Sequence, residues 1–252
     1  MNTSNLKITV VGATGLIGHQ LVPALRAGGH DIVPVSRATG VDLLSGDGLA
    51  DALAGADVVI DVINSATPED SAQGFFEQTS TNLAAAVRKA SIRHYVVLSI
   101  VGADVMAPHA GYLRGKLAQE AAAADSGAPW TVVRATQFHE LAEPITESMI
   151  HGDQLRAPVA AIQTADSAEV TAVLAAIATG AARDGVLEVG GPQQMSFADM
   201  ARLVLRRQGR ELTVIDDPAA TYHGIPVDET TLVTGAGAQL CDTGLADWLA
   251  RR

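Results

Sequence analysis

Tyr112-Leu-Arg-Gly-Lys116 sets a phenol and an ammonium four residues apart, one helical turn and so on one helix face. That pair suits proton delivery to an oxygen. A phenol holds its proton to about pH 10, and a cation beside it stabilises the phenolate left when the proton is given up. Thirteen residues earlier, Ser99 ends the apolar run Tyr95-Val-Val-Leu-Ser99, where its hydroxyl would hold the accepting oxygen. Together the three match the acid that a carbonyl needs as hydride reaches it. Each residue also has a plainer role: a surface tyrosine at a helix start, a solvated helix cation, a hydroxyl that satisfies a strand-end backbone group. His139 is a fourth candidate, because imidazole titrates in the range that suits proton transfer. Glu140 beside it would orient the ring or simply face water, and histidines tied to loop carbonyls are just as common.

A source of hydride is written at the start of the chain. Ile8-Thr-Val-Val-Gly12-Ala-Thr14-Gly15-Leu16-Ile17-Gly18 runs an apolar strand into three glycines spaced three apart. Gly12 permits a tight turn, Gly15 a close approach of backbone to ligand, and Gly18 contact between helix and sheet. The N–H groups that open the helix, from Thr14 to Gly18, would face the pyrophosphate of a dinucleotide. The second strand ends in Ser36-Arg37. A guanidinium there grips a 2′-phosphate with paired hydrogen bonds, which favours NADP(H) over NAD. Asp31 lies at the far end of that strand and cannot reach the ribose. Arg37 as a solvated loop cation is the bland alternative, and Asp42 either contacts adenine or caps a turn. Asn64-Ser65, by position, falls near the cofactor ribose, which Lys116 would also hold. Asn82 reads as a buried amide bonded to the neighbouring strand.

The elements that must carry these groups follow from the pattern. Apolar β-branched runs at 6–12, 31–36, 56–63, 93–100 and 129–134 alternate with helical stretches at 15–28, 47–54, 70–90 and 112–126. That alternation predicts a doubly wound α/β Rossmann sheet with helices on both faces. Pro23 inside the first helix should bend it. Beyond about residue 135 the alternation loosens, with strand-like pieces at 158–163 and 186–189 and helices at 167–179 and 196–208. We read 1–135 as the NADP-binding domain and 136–252 as a smaller substrate-covering lobe interleaved with the main sheet. Residues 228–252 carry no assignable pattern. Trp130, Trp248 and Phe75-Phe76 read as packing.

Composition narrows the classes. A net charge of −11 disfavours nucleic acid and anionic membrane surfaces. One cysteine, Cys241, allows no internal disulfide and suits a reducing cytoplasm. No apolar run approaches the roughly twenty residues of a membrane span, and no signal peptide is visible. The seven histidines show no ligand spacing, so no metal is expected. Oligomeric state, monomer or homodimer, is open.

The glycine turn, Ser36-Arg37, Tyr112-Leu-Arg114-Gly-Lys116-Leu-Ala-Gln119-Glu120 and Ser126-Gly-Ala-Pro129-Trp130-Thr-Val-Val-Arg134-Ala-Thr-Gln137-Phe138-His139-Glu140 together resemble the short-chain dehydrogenase/reductase superfamily. The closer likeness is to its atypical, NmrA-like branch, with quinone reductases and sugar-epimerase-related proteins. It covers residues 6–140 well and the remainder loosely. The resemblance implies a Rossmann fold, NADP(H), and reduction of a small carbonyl or quinone. Tyr112 would be the general acid, Lys116 the ribose anchor that lowers the phenol's pKa, and Ser99 the ligand of the substrate oxygen. Members of the branch lacking the tyrosine bind NADP(H) as redox sensors or regulators. A cofactor-retaining epimerase or isomerase is the other alternative.

Overall fold

The computed structural model describes residues 5–65 and 71–252; Asp70, the expected first residue of the third helix, lies outside them. The chain opens with β1 (Lys7–Val11), α1 (Leu16–Ala27), β2 (Asp31–Val35), α2 (Leu49–Leu53), β3 (Val58–Asp61), α3 (Ala72–Ala90), β4 (His94–Ile100), α4 (Ala103–Met106), α5 (Gly111–Ala124) and β5 (Trp130–Ala135). It continues through α6 (Ala142–Ser148), β6 (Ile150–His151), β7 (Gln154–Pro158), β8 (Ala161–Ile162), α7 (Ser167–Ala178) and β9 (Gly185–Gly190). Last come β10 (Met195–Ser196), α8 (Phe197–Gln208), β11 (Thr213–Asp217), β12 (Gln239–Leu240) and α9 (Leu245–Ala250).

Seven strands form one parallel Rossmann-like sheet in the order β12-β9-β5-β4-β3-β1-β2. The chain runs from β1 outward to β2 and then returns to β3 on the other side of β1. Strand order therefore reverses between β1 and β3, and in open sheets of this kind ligands gather beyond the carboxyl ends of the strands at that reversal. The register puts Val11 of β1 opposite Asp61 of β3, and Asp61 opposite Val97 of β4. Two chain exits thus leave the sheet side by side, the glycine turn after Val11 and the segment to Asn64 after Asp61, while β4 runs on past Val97 and carries Ser99 within it. Pro34, paired in register with Val10, is tolerated because β2 is the edge, where a missing N–H interrupts no ladder.

The chain divides into two compact units: Met1–Ser99 with Ala110–Arg134 and Thr171–Leu187, and Ile100–His109 with Ala135–Val170 and Glu188–Arg252. In the first, Val59, Leu83, Val87, Tyr95 and Ala123 belong to one buried cluster. The second carries two small sheets, β11-β7-β6 and β10-β8. The expected strand at 158–163 is two strands. Gln154–Pro158 pairs with β11 while Ala161–Ile162 pairs with β10, and Pro158 has no N–H with which to extend the first ladder. The unassigned stretch 228–252 holds β12 and α9, and Pro23 sits inside α1 without ending it.

Gly115 has a packing reason. A Cβ on it would lie 2.7 Å from Cδ2 and 3.0 Å from Cβ of Phe76, a ring fully buried on α3. Helix α5 therefore approaches α3 closely at that residue. Gly115→Ala should destabilise the protein: overpacking costs about 1–3 kcal/mol, against the roughly 1 kcal/mol that alanine returns in a helix. Urea unfolding should show a lower midpoint with an unchanged slope.

Candidate active site

At the end of β1 the backbone turns at Gly12 with φ +86°, and the N–H groups of Gly12 and Ala13 both donate to the Val35 carbonyl, at 3.0 and 3.1 Å. A Cβ on Gly12 would stand 2.9 Å from the backbone of Val62 and Ile63, and one on Gly18 would stand 2.2 Å from the Gly12 carbonyl oxygen. Neither position has room for a side chain. Gly15 flanks α1 in extended conformation without a side-chain cap, and the first intrahelical bond runs from His19 N–H to Gly15 O at 2.9 Å. The N–H groups of Leu16, Ile17 and Gly18 thus precede the hydrogen-bonded helix. Ile17 is buried and anchors the turn, while Thr14, Gly15 and Leu16 are exposed. This bare helix start is a cradle for an anionic pyrophosphate.

Beyond β2, Ser36 and the exposed Arg37 enter a short 3-10 turn. The Ser36 N–H donates to Thr39 Oγ1 at 2.9 Å. Asp42 caps a turn by accepting from Leu44 N–H at 2.8 Å. Asn82 donates to the carbonyls of Leu43 and Leu44, both at 2.9 Å; it holds the loop after β2, not a strand as expected.

Helix α5 brings its face to the exits of β3 and β4. Tyr112 Oη donates to Asn64 Oδ1 at 2.8 Å, and its ring meets Phe76 edge to face, 5.6 Å between centroids. Lys116 is buried at 4% exposure, so it is no solvated surface cation. Its ammonium donates to the Leu98 carbonyl at 2.7 Å and to Gln119 Oε1, and lies 5.2 Å from the centre of the Phe76 ring. Ser99, the next residue after Leu98, is 2% exposed, and its Oγ has no partner among the described residues. A buried hydroxyl without a partner is uncommon and points to a ligand atom. Arg134 of β5 clasps Glu120 with two bonds, at 2.8 and 3.0 Å.

One expectation is corrected by this geometry. Lys116 was to lower the pKa of Tyr112. Instead burial pushes the Tyr112 hydroxyl up to about 12. The reason is that the ammonium is turned toward Leu98 and Gln119. Burial in turn lowers Lys116 to about 8, against the attraction of Asp61 and then Glu120.

His139, the fourth candidate, has a hydrogen-bond partner at each ring nitrogen. It belongs to the second unit, where its Nδ1 lies 2.8 Å from Thr164 Oγ1 and its Nε2 lies 3.0 Å from the Thr243 carbonyl. A carbonyl only accepts, so Nε2 carries the proton and Nδ1 accepts from the threonine. Both nitrogens are spent on tying strands of chain together, and the ring packs against Trp248. Burial lowers its pKa. Glu140 neither orients it nor faces water: one oxygen accepts from Ser167 Oγ at 2.6 Å.

Sequence reasoning missed Asp61, Tyr95 and Gln119, which are buried with Lys116. The available signals were a lone acid ending the buried run Val58-Val-Ile60 of β3, and Gln119 three residues past Lys116 on the same helix face. Among the described residues no group of three His, Cys, Asp or Glu is arranged to hold a metal ion, and no helix is long and apolar enough to cross a membrane.

Known proteins resemble this chain in sequence and in fold. A family model described as NAD(P)H-binding matches residues 12–180. A (4-alkanoyl-5-oxo-2,5-dihydrofuran-3-yl)methyl phosphate reductase of Streptomyces griseus is 30% identical over 170 residues, 64% of this chain; the chain spans only 55% of that protein's length. The NADPH-dependent quinone oxidoreductase of Escherichia coli, solved with NADPH, superposes with a TM-score of 0.70 at 17% identity, over 97% of this chain and 99% of that one. A nucleoside-diphosphate-sugar epimerase from Staphylococcus aureus gives 0.74 at 14% identity, over 97% and 99%. At these identities the two structures share the fold.

A spectroscopic check follows from the burial of Tyr112. The difference between the near-ultraviolet pH titrations of the protein and its Tyr112→Phe variant should show no phenolate at pH 10, where a free phenol is about half ionised. A midpoint at or below 10 would show the phenol is not held as described.

Proposed function

The chain belongs to the NAD(P)H-binding family, and on that footing we propose that it is an NADPH-dependent oxidoreductase that reduces a small carbonyl or quinone. The observation that carries this reading is the tie between α5 and the strand exits. Tyr112 is bonded to Asn64 after β3, and Lys116 to the residue before Ser99 on β4, which gathers an acid, a cation and an unpartnered hydroxyl next to the glycine turn.

The cradle fits a dinucleotide: two positions in it exclude any side chain, and its helix start offers N–H donors to phosphate. Bound nicotinamide supplies the hydride. Arg37, with Ser36, grips the adenosine 2′-phosphate. Lys116 has spent two of its three donors on Leu98 and Gln119, which leaves one for a ribose hydroxyl. The Ser99 hydroxyl donates to the substrate oxygen, and Tyr112 hands that oxygen its phenolic proton as the carbon accepts hydride. The phenolate then regains a proton from water.

The direction of reaction follows from the acid's strength. A phenol raised to about 12 is fully protonated at neutral pH and can donate to a developing alkoxide, which is more basic still. It is a poor base for the opposite task of taking a proton from an alcohol. That disfavours a cofactor-retaining epimerase, whose cycle begins with such an oxidation. A non-catalytic NADP(H) sensor has one observation on its side: the Tyr112 proton is committed to Asn64.

NADPH oxidation against a panel of quinones and carbonyls separates these readings. Tyr112→Phe should lower kcat by about 100- to 10,000-fold with NADPH affinity nearly unchanged. Tight NADPH binding with no turnover of any acceptor would replace the enzyme with the sensor. Arg37→Ala should weaken NADPH binding by roughly 10- to 100-fold, the worth of a charged hydrogen bond, and leave NADH binding unchanged in titration calorimetry. Equal losses for both cofactors would remove Arg37 as the 2′-phosphate ligand.

A further inference from the structure

Asp61 is a carboxylate at 1% exposure in the middle of a parallel sheet, and none of the steps above uses it. Burying a carboxylate is costly unless it is matched by charge and hydrogen bonds, so its partners state its purpose. One oxygen accepts the N–H of Ile63 at 3.0 Å and the other accepts the Tyr95 hydroxyl at 3.3 Å. The first bond folds the chain back as it leaves β3 and delivers Asn64, whose amide oxygen receives both the Ser65 N–H at 2.9 Å and the Tyr112 phenol at 2.8 Å. On the other side stands Lys116 of α5, which acts on it by its charge. Register places Asp61 between Val11, which precedes the glycine turn, and Val97 of β4.

We propose that Asp61 is the positioning residue of the site, a single buried carboxylate that balances the charge of the Lys116 ammonium on one side and, through the β3 exit, sets Asn64 against the Tyr112 phenol on the other. Its kinetic consequence rests on the reductase reading; its coupling to Lys116 does not. The groups around the ammonium are few: Asp61 from β3, Glu120 and the Gln119 amide oxygen on α5 itself, the Leu98 carbonyl and the uncharged Phe76 ring; Tyr95 of β4 bonds Asp61 in turn. Burial drives the Asp61 carboxyl up and the Lys116 ammonium down, so each charge depends on the other, and the dependence is reciprocal.

Reciprocity allows the pair to be read from either end in the full-length protein, without turnover. The Lys116 side-chain carbon beside the ammonium, followed by NMR against pH, should titrate near 8. Asp61→Asn keeps the shape and the bond from Ile63 but removes the charge, and should lower that midpoint by about one pH unit or more. Lys116→Met should raise the midpoint of the Asp61 carboxyl carbon, and this second arm decides the matter if the asparagine variant does not fold. In the active enzyme Asp61→Asn should move the alkaline limb of the kcat/KM profile to lower pH and cut kcat about tenfold. Unmoved midpoints overturn the assignment, as does an activity loss in Asp61→Asn with the Lys116 titration unchanged, which would mark a merely structural role. An inert wild-type protein would overturn the reductase reading and leave the two midpoints to judge Asp61.

Discussion

The gap between the Gly12 carbonyl and the Gly18 α-carbon has room for hydrogen and nothing larger. That steric constraint organises the first unit. Because α1 can sit so low on β1, its opening N–H groups come free beside the backbone that leaves β3. Because Gly12 itself lies against Val62 and Ile63, the β3 exit cannot relax toward β1 and is carried toward α5 instead. A methyl group at Gly18 would stand 2.2 Å from the Gly12 carbonyl oxygen and one at Gly12 2.9 Å from the backbone of Val62 and Ile63, and backbone has no spare conformations with which to absorb that.

Polar groups then do inside the sheet what close backbone contact does at its end. The carboxyl ends of β1 and β3 are level in register and β4 runs on to Ile100, yet strand ends alone do not aim a phenol or an ammonium. The aim comes from bonds made across elements: Tyr112 to Asn64, Lys116 to Leu98, Arg134 to Glu120. A network of this kind is rigid only while every member is satisfied. The Ser99 hydroxyl and the Gln119 amide nitrogen, both buried and without a partner among the described residues, are the members of this region that the network leaves unspent.

Much of this was readable from residue order, and the reasons for the remainder are physical. Strand and helix placement through residue 135 followed from apolar runs and glycine stops, whose signals are local. The glycine turn was legible because its spacing and its context agree. The direction in which Lys116 points was not, because a lysine four residues after a tyrosine looks the same whether its ammonium faces the phenol or the Leu98 carbonyl. Burial, which no spacing reports, decided the ionisation of both. Asp61 escaped notice for a related reason: one acid at the end of an apolar strand resembles any strand terminus until the partners from β4 and α5 are known. The small β strands after residue 150 were the least legible. They are two to five residues long, and Pro158 divides what reads in sequence as a single apolar run.

The proline in β2 has a consequence beyond local geometry. An outermost strand exposes a row of backbone groups on which any foreign strand can grow, and an uninterrupted row invites fibrous stacking or uncontrolled pairing between molecules. Pro34 deletes one donor from that row on a strand only five residues long, and Asp31 adds an exposed charge at its start. This border of the sheet is thereby closed to strand addition, so copies of the chain that associate must meet through side chains and not by lengthening the sheet at β2.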